Sequence, residues 1–363
     1  MGLHTNAILL QVALPIGISF YTFHGMSYVF DIYRGQQKPV RNFIDYAVFV
    51  SFFPLLVAGP IERASHLLPQ VQKPRFFNYS QAVEGCRLIL WGMFKKVVIA
   101  DSLSIKVDLF YSSPQDFSGI TLFLATIAFS FQIYCDFSGY SDIAIGTAKL
   151  FGFELLTNFK FPYFSDSIKE FWKRWHISLS SWFRDYIFIP LGGSRKTKVL
   201  TIRNILIIFL VSGLWHGASW NFLIWGFLHA ILYIIFYFRK RKVESDLKII
   251  KFLRIILTFL SVNFLWVFFR FSSLKGALNL FYFMINDWCK NPLQFFHLPE
   301  QGGIIMIYVL PIIIVDYYFR NDGRKLRVPD NLFFRYPIYI IISMLIIYFY
   351  AYNKGQQFIY FEF

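Results

Sequence analysis

Residues 203–239 read RNILIIFLVSGLWHGASWNFLIWGFLHAILYIIFYFR, which is two apolar runs joined by a short turn and closed at each end by an arginine. Because basic residues concentrate in cytoplasmic loops, both ends are predicted to lie on the cytoplasmic face, so that the chain enters the membrane and returns. His216 follows Arg203 by 13 residues, or about 20 Å of helix. In a hydrocarbon core about 30 Å thick, His216 is predicted to lie inside the membrane, past its middle.

An ionisable side chain at that depth is a candidate functional residue, because its burial is costly unless a cavity or a partner compensates. The glycines beside His216 and the nearby Ser219 predict a break in the helix, which allows a substrate to approach the backbone closely. A neutral imidazole can accept a proton from an attacking hydroxyl and return it to a leaving group. His216 is therefore our first candidate catalytic residue, with a hydrogen-bonded packing role as the alternative. For His229, inside the second run, the packing role is preferred.

The whole chain has the composition of a protein dissolved in lipid. Its 363 residues are 56% hydrophobic, 21% aromatic and 16% charged, whereas about a quarter of the residues in soluble domains are charged. Roughly ten apolar stretches recur along it, several of them shorter than the ~20 residues that cross a bilayer. The sequence thus predicts an all-α, multi-pass transmembrane helical bundle with broken or re-entrant helices, formed as a single domain over residues 1–363. The clearest runs are Ile205–Leu214, Phe222–Phe238, Ile255–Phe269, Ile304–Val315 and Ile338–Tyr350.

The net charge of +15 raises the question of nucleic-acid binding. The lysines and arginines, however, gather in short loops between apolar runs, which indicates positive-inside topology instead. We predict the lipid bilayer as a partner and no nucleic acid. The cytoplasmic loop candidates contain residues 239–242, residues 195–203, and Arg320 with residues 324–327.

Residues 167–186 predict an amphipathic helix. Ser167 and Glu170 have the spacing of a capping box, and Pro190 with the following glycines ends the segment. A tryptophan-rich stripe with basic flanks is typical of a helix that lies in the membrane interface. His176 falls at the margin of that stripe, where it is either an interfacial histidine satisfied by a neighbour or a second active-site residue. The stripe consists of Ile168, Phe171, Trp172, Trp175, Leu179, Trp182, Phe183 and Tyr186.

Two acidic residues lie in apolar surroundings, at Asp136 and Asp142. They can orient a histidine, pair with an arginine such as Arg184, or hold two helices together, and structural pairing is the preferred interpretation. The seven histidines never approach the i, i+3 or i+4 spacing that collects metal ligands on one helix face, so no metal site is predicted.

Several longer motifs resemble the membrane-bound O-acyltransferase family, and most closely its bacterial alginate O-acetyltransferase branch. They occur in the expected order from about residue 14 to the C-terminus. The motifs are LPIGISFYTF (14–23), AGPIER (58–63), YCDFSGYSD (134–142), FWKRWHISLSSWFRD (171–185), IPLGG (189–193), LWHGASWNFLIWGFLH (214–229) and WVFFR (266–270).

The resemblance implies that His216 is the essential histidine of the family and His176 the histidine of its second signature, both lining a tunnel through the membrane. It implies an acyl donor, commonly acetyl-CoA, taken on the cytoplasmic side, with no tightly bound cofactor and no donor-binding residue that the motifs identify. The acceptor is then an extracytoplasmic polysaccharide or a periplasmic acyltransferase partner, which indicates the inner membrane of a bacterium. The basic loops are expected to help attract the anionic donor.

Alternatives remain within and outside this class. Alginate, peptidoglycan and other exopolysaccharides are rival acceptors, and D-alanyl transfer to teichoic acid is a rival reaction. From another class, a transporter of an acyl donor or glycan can use the same histidines as a proton relay. Family members usually carry further membrane-spanning segments before the LPIGISFYTF motif, whereas 13 residues precede it here. We therefore expect some N-terminal helices of the family to be absent, which bears on folding and activity.

Overall fold

A computed structural model of the chain describes residues 17–239, 247–288, 290, 303–320, 329 and 331–353. These residues confirm the all-α prediction, because they contain helices and turns but no strand. Among them, five helices are long and apolar enough to span a membrane: α6 (Gly119–Leu150), α9 (Lys198–His216), α10 (Trp220–Phe238), α11 (Lys248–Arg270) and α14 (Leu332–Asn353). The first residues of the LPIGISFYTF motif, the basic residues 240–242 and those at 324–327 lie outside the described part.

Shorter helices complete the bundle, as the short apolar stretches predicted. They are α1 (Ile18–Tyr33), α2 (Phe43–Val50), α3 (Ala64–Gln72), α4 (Tyr79–Met93), α5 (Asp101–Ser112), α7 (Ile168–Arg174), α8 (Ile177–Phe183), α12 (Leu274–Asn286) and α13 (Gly303–Phe319). One π-helical turn, Phe94–Ala100, joins α4 to α5, and a second, Arg184–Phe188, follows α8. The apolar stretches near 117–135 and 139–153 form one helix, α6, rather than two.

Helix α6 is the central element, and α4 packs against it through glycines. A Cβ atom on Gly92 would lie 2.5 Å from the carbonyl oxygen of Gly139, and a Cβ on Gly146 would lie 2.5 Å from that of Gly85. The two backbones therefore approach more closely than any side chain allows, as small residues permit in membrane bundles. Gly85 of α4 meets Gly146 of α6, and the later residue Gly92 meets the earlier residue Gly139. The two helices are therefore antiparallel.

The predicted hairpin around His216 is confirmed. Helix α9 ends at His216, and α10 begins at Trp220 with the Ser219 side chain accepting a hydrogen bond from the backbone N–H of Asn221. A Cβ atom on Gly213 of α9 would collide with the Phe222 carbonyl group of α10, so the two helices meet without intervening side chains. Close packing of this kind fixes where the end of α9 lies relative to α10.

The prediction of one continuous interfacial helix over residues 168–186 is wrong. The start is right: Ser167 Oγ accepts from the Glu170 backbone N–H, and α7 begins at Ile168. The helix stops at Arg174, however, and α8 starts after His176, whose φ of 41° lies in the left-handed region. The aromatic stripe is also buried inside the protein rather than turned to lipid headgroups, with Trp175 and Trp182 2% and 3% exposed. The apolar residues keep their helical spacing in the sequence because only two residues separate α7 from α8.

The glycine contact between α4 and α6 yields a stability prediction. We expect Gly146→Ala to lower the free energy of unfolding by about 1–3 kcal/mol, because the added methyl group must push the two backbones apart. The measurement is thermal or denaturant unfolding of the detergent-solubilised chain. Gly25→Ala in α1 is the matched control, since its Cβ meets only the Tyr46 hydroxyl at 3.8 Å, and it should be neutral or mildly stabilising. Equal losses in both variants would contradict the packing argument.

Candidate active site

The two histidines singled out in the sequence line one cavity of about 320 Å³. Helices α7 to α11 build it, with His176 between α7 and α8 and His216 at the end of α9. The most deeply buried residues that line the cavity are mainly aromatic. The basic residues that line it are partly or fully exposed. The buried part contains Trp175, His176, Trp225, Trp266 and Phe269, and the basic residues are Lys169, Lys173 and Arg184.

His216 is held among aromatic rings. The ring centroids of Trp215, Phe269 and Trp225 lie 4.7, 4.9 and 5.3 Å from that of the imidazole, and Phe269 and Trp225 meet it edge to face. Such contacts restrict the orientation of the imidazole and keep bulk water away from one side of it. The side chain of His216 is nevertheless only partly buried, since the cavity reaches it.

His176 occupies a strained position at the break between α7 and α8. A left-handed backbone at a residue other than glycine costs about 1–3 kcal/mol and persists only when the surroundings impose it. The side chain is 2% exposed, its ring lies 4.6 Å from Phe137, and its Nε2 atom has no hydrogen-bond partner. Burial lowers the pKa of His176 well below its ordinary range, and the neighbouring His216 adds to this effect. The imidazole at this position is therefore neutral at physiological pH.

Asn158, which the sequence analysis did not identify, holds the break in place. Its backbone carbonyl accepts from the N–H of Ile177 at 2.9 Å, and its Oδ1 accepts from the Ser178 hydroxyl at 2.9 Å. Its Nδ2 donates to Ser141 of α6 and to the carbonyl of Gly59, at 3.2 and 3.4 Å. The fully buried carboxamide thus ties α8 to α6 and to the loop after α2.

The acidic residues of α6 do not orient the histidines. Asp142 pairs with Lys95 at 2.5 Å, and Asp136 pairs with Lys96 at 2.6 Å, so each carboxylate joins α6 to the π-helical turn after α4. This confirms structural pairing as their role, although the partners are lysines and not Arg184. Arg184 instead contacts Asp185, at 2.7 Å.

His229 lies behind the cavity wall, as its packing interpretation predicts. It is fully buried, and its ring lies 5.0 Å from those of both Trp172 and Trp225. Neither ring nitrogen has a hydrogen-bond partner, so the expected hydrogen bond is absent and the packing is aromatic. In the part of the chain that the structure describes, no group of three or more His, Cys, Asp or Glu residues is placed to hold a metal ion.

The remaining wall residues lie in motifs that the sequence analysis quoted without assigning them a role. Trp225 belongs to the 214–229 motif, and Trp266 and Phe269 belong to the WVFFR motif. Apolar periodicity alone makes them core residues, which they also are, with 1% of each exposed. Their occurrence within motifs was the available signal that this part of the core borders a site.

Comparison with known proteins places these motifs in one family. The model of MBOAT, the membrane-bound O-acyltransferase family, matches residues 18–278. A probable alginate O-acetylase of Azotobacter vinelandii is 43% identical over 289 residues, which is 79% of this chain and 57% of the relative. One of Pseudomonas aeruginosa is 38% identical over 326 residues, covering 89% and 62% of the two chains. A peptidoglycan O-acetyltransferase of Helicobacter pylori is 36% identical over 323 residues, covering 81% and 60%. The chain thus spans about three-fifths of the length of these relatives.

The role of Asn158 can be tested through stability. We expect Asn158→Leu to reduce the free energy of unfolding by about 1–3 kcal/mol, because it leaves buried hydrogen-bonding groups of Ser178 and Ser141 without a partner. Unfolding is again followed in detergent, together with proteolysis near residues 175–178. The matched control is Asn286→Leu, since the exposed Asn286 donates only to its own helix, to the Tyr282 carbonyl, and should change stability by less than about 0.5 kcal/mol. An unchanged Asn158→Leu protein would contradict the clamp.

Proposed function

Because the chain belongs to the membrane-bound O-acyltransferase family, we propose that it transfers an acetyl group from a cytoplasmic thioester, acetyl-CoA, toward hydroxyls of an extracytoplasmic polysaccharide. The observation that carries the proposal is the meeting of His176 and His216 in one cavity with an aromatic interior and basic residues at its exposed part. In this proposal residues 1–363 act as one membrane-bound O-acyltransferase domain in the inner membrane of a bacterium.

The cavity suits a slender thioester donor in size and in chemistry. A volume of about 320 Å³ falls at the lower end of small-molecule sites, which range over about 300–1,000 Å³. The aromatic interior suits an acyl group and an uncharged arm, whereas Lys169, Lys173 and Arg184 suit the phosphates of a nucleotide that stays outside. The donor enters here as a substrate that leaves after each turnover.

Acyl transfer at this site needs one base and no net proton change. In the proposed reaction, His216 accepts the proton of the attacking hydroxyl as its oxygen bonds to the thioester carbonyl carbon. The carbon–sulfur bond then breaks, and the imidazolium returns the proton to the thiolate that leaves. His176, buried and neutral, helps to bind or orient the reactants. The edge-to-face contacts of Trp225 and Phe269 restrict the orientation of the His216 imidazole as it takes and returns the proton.

The acceptor is proposed from the relatives. The relatives described above are named for O-acetylation of alginate and of peptidoglycan. Both polymers present sugar hydroxyls outside the cytoplasm. Acetylation of such a polysaccharide, directly or through a periplasmic acyltransferase partner, is therefore preferred over D-alanyl transfer to teichoic acid. Membranes assayed with both acetyl and D-alanyl donors distinguish these reactions.

The first functional prediction concerns the base. Membranes that contain the chain should release labelled acetyl groups from acetyl-CoA and deposit label on envelope glycan, and His216→Ala should lower this turnover at least about 10²-fold. His66→Gln is the control, because His66 lies on α3 and hydrogen-bonds Glu62 away from the cavity. Undiminished turnover in His216→Ala would remove His216 as the base and favour the transporter alternative.

A second prediction concerns the basic residues of the cavity. Replacing Lys169 and Lys173 together by Gln should raise the KM for acetyl-CoA roughly twofold to tenfold with little change in kcat, since exposed ion pairs contribute about 0.2–1 kcal/mol each. The effect should shrink as salt is added. Lys160→Gln, on an exposed residue of the same segment outside the cavity, is the matched control. A donor without phosphates, the acetyl thioester of N-acetylcysteamine, should not distinguish the variants. A lowered kcat with unchanged KM would contradict this role.

A further inference from the structure

The cavity wall contains buried hydrogen-bond donors that have no acceptor. The indole Nε1–H groups of Trp172, Trp225 and Trp266 are buried and make no hydrogen bond, and all three side chains line the cavity. An indole N–H can only donate, and native proteins rarely bury a polar group without a partner unless the group serves a function or meets a ligand. An otherwise aromatic cavity with unpaired donors in its wall favours a ligand with a carbonyl oxygen.

Of these three indoles, Trp225 is the one whose ring contacts the imidazole of His216. Its ring lies 5.3 Å from the imidazole of His216 at an angle of 88°. The aromatic contacts of Trp172 are with Phe171, Phe209, Trp225 and His229. The aromatic contacts of Trp266 are with Trp175, Trp225, His229 and Phe269. The base and an unpaired donor therefore border the same end of the cavity.

Trp225 is also fixed in place. It belongs to the second turn of α10, is 1% exposed, and packs against Trp266 at 5.8 Å, His229 at 5.0 Å and Phe269 at 5.3 Å. A donor that cannot rotate away costs little reorganisation when charge develops opposite it. This is the property that distinguishes a preorganised catalytic donor from a flexible polar side chain.

We propose that Trp225 is a catalytic residue whose Nε1–H donates a hydrogen bond to the carbonyl oxygen of the acyl thioester. This inference rests on the proposed acyl transfer. When the acceptor oxygen bonds to the carbonyl carbon, the carbonyl electron pair moves onto oxygen and the hydroxyl proton moves to His216. Trp225 then faces an oxyanion, and a hydrogen bond to an ionised acceptor is roughly twice as strong as one to a neutral acceptor. The oxyanion collapses, the carbon–sulfur bond breaks, and the thiolate takes the proton from His216.

The kinetic test removes only the N–H group. Trp225→Phe keeps an aromatic ring and should lower kcat by about 10²- to 10³-fold, the effect of losing one oxyanion donor, with a smaller change in KM. Trp220→Phe is the control: it replaces an exposed indole at the first residue of the same helix, outside the cavity, and it should leave kcat within about threefold of the unsubstituted chain.

A binding test needs no turnover. The full chain in nanodiscs is titrated with two analogues of acetyl-CoA: a ketone in which CH₂ replaces the thioester sulfur, and the S-ethyl thioether, which has no carbonyl oxygen. The unsubstituted chain should bind the ketone about threefold to tenfold more tightly than the thioether, the contribution of one neutral hydrogen bond. Trp225→Phe should abolish this difference and still bind the thioether normally, which shows that the cavity is intact. Trp220→Phe, outside the cavity, should keep the difference.

The outcomes separate this inference from the proposed function. If the chain transfers acetyl groups and His216→Ala does not, but Trp225→Phe retains both kcat and the preference for the ketone, Trp225 is not the donor and acyl transfer stands. If the unsubstituted chain transfers no acetyl group, the proposed function fails and with it the catalytic role of Trp225, and the ketone preference then decides only whether its Nε1–H binds a carbonyl oxygen in this cavity. An equal loss of kcat in Trp225→Phe and Trp220→Phe would also overturn the assignment, because it would indicate general damage to the fold and not the loss of one donor.

Discussion

The position of His176 in the cavity depends on the buried carboxamide of Asn158. It reaches three separate parts of the fold at once: Ser178 at the start of α8, Ser141 on α6 and the carbonyl group of Gly59. These contacts impose the left-handed backbone of His176, which no local preference of a histidine supplies. With this backbone conformation, His176 lines the same cavity as His216, which lies on a different helix. Without the clamp, residues 168–183 would be expected to relax toward the continuous helix that their periodicity favours.

The charges in the bundle interior are used for assembly. Lys95 and Lys96 pair with Asp142 and Asp136, which joins the π-helical turn after α4 to the centre of α6. The contacts of Gly92 with Gly139 and of Gly85 with Gly146 also join α4 to α6. Close backbone approach and ion pairing therefore stabilise one interface. Removing one partner of such a pair leaves a buried charge without compensation, which makes the register between these helices specific. The two carboxylates of α6 therefore serve the contact between helices.

Most of the fold follows from patterns in the sequence, and the exceptions have physical reasons. Apolar runs predicted α9, α10, α11, α13 and α14, and the glycines after His216 predicted the hairpin break. The break at His176 was not predictable from periodicity, because two short helices in register present the same stripe as one long helix. An aromatic stripe is expected both on a helix that contacts lipid headgroups and on a helix that is buried in protein. The stripe in the sequence therefore did not distinguish these two environments. The motifs contain both histidines, whereas the unpaired indole donors of Trp172, Trp225 and Trp266 are a property of the three-dimensional structure that no sequence pattern indicates.

The length of α9 relates the cavity to the two faces of the membrane. Its basic N-terminal residue Lys198 and His216 are 18 residues apart, or about 27 Å of helix, which is close to the full hydrocarbon thickness of about 30 Å. The cavity follows this helix from Ile205 to His216, about 16 Å at 1.5 Å per residue. In the proposed reaction, a thioester that enters beside the basic residues has its acyl carbon close to His216, at the far end of α9. An acceptor hydroxyl that stays outside the membrane would then have only a short distance to cover.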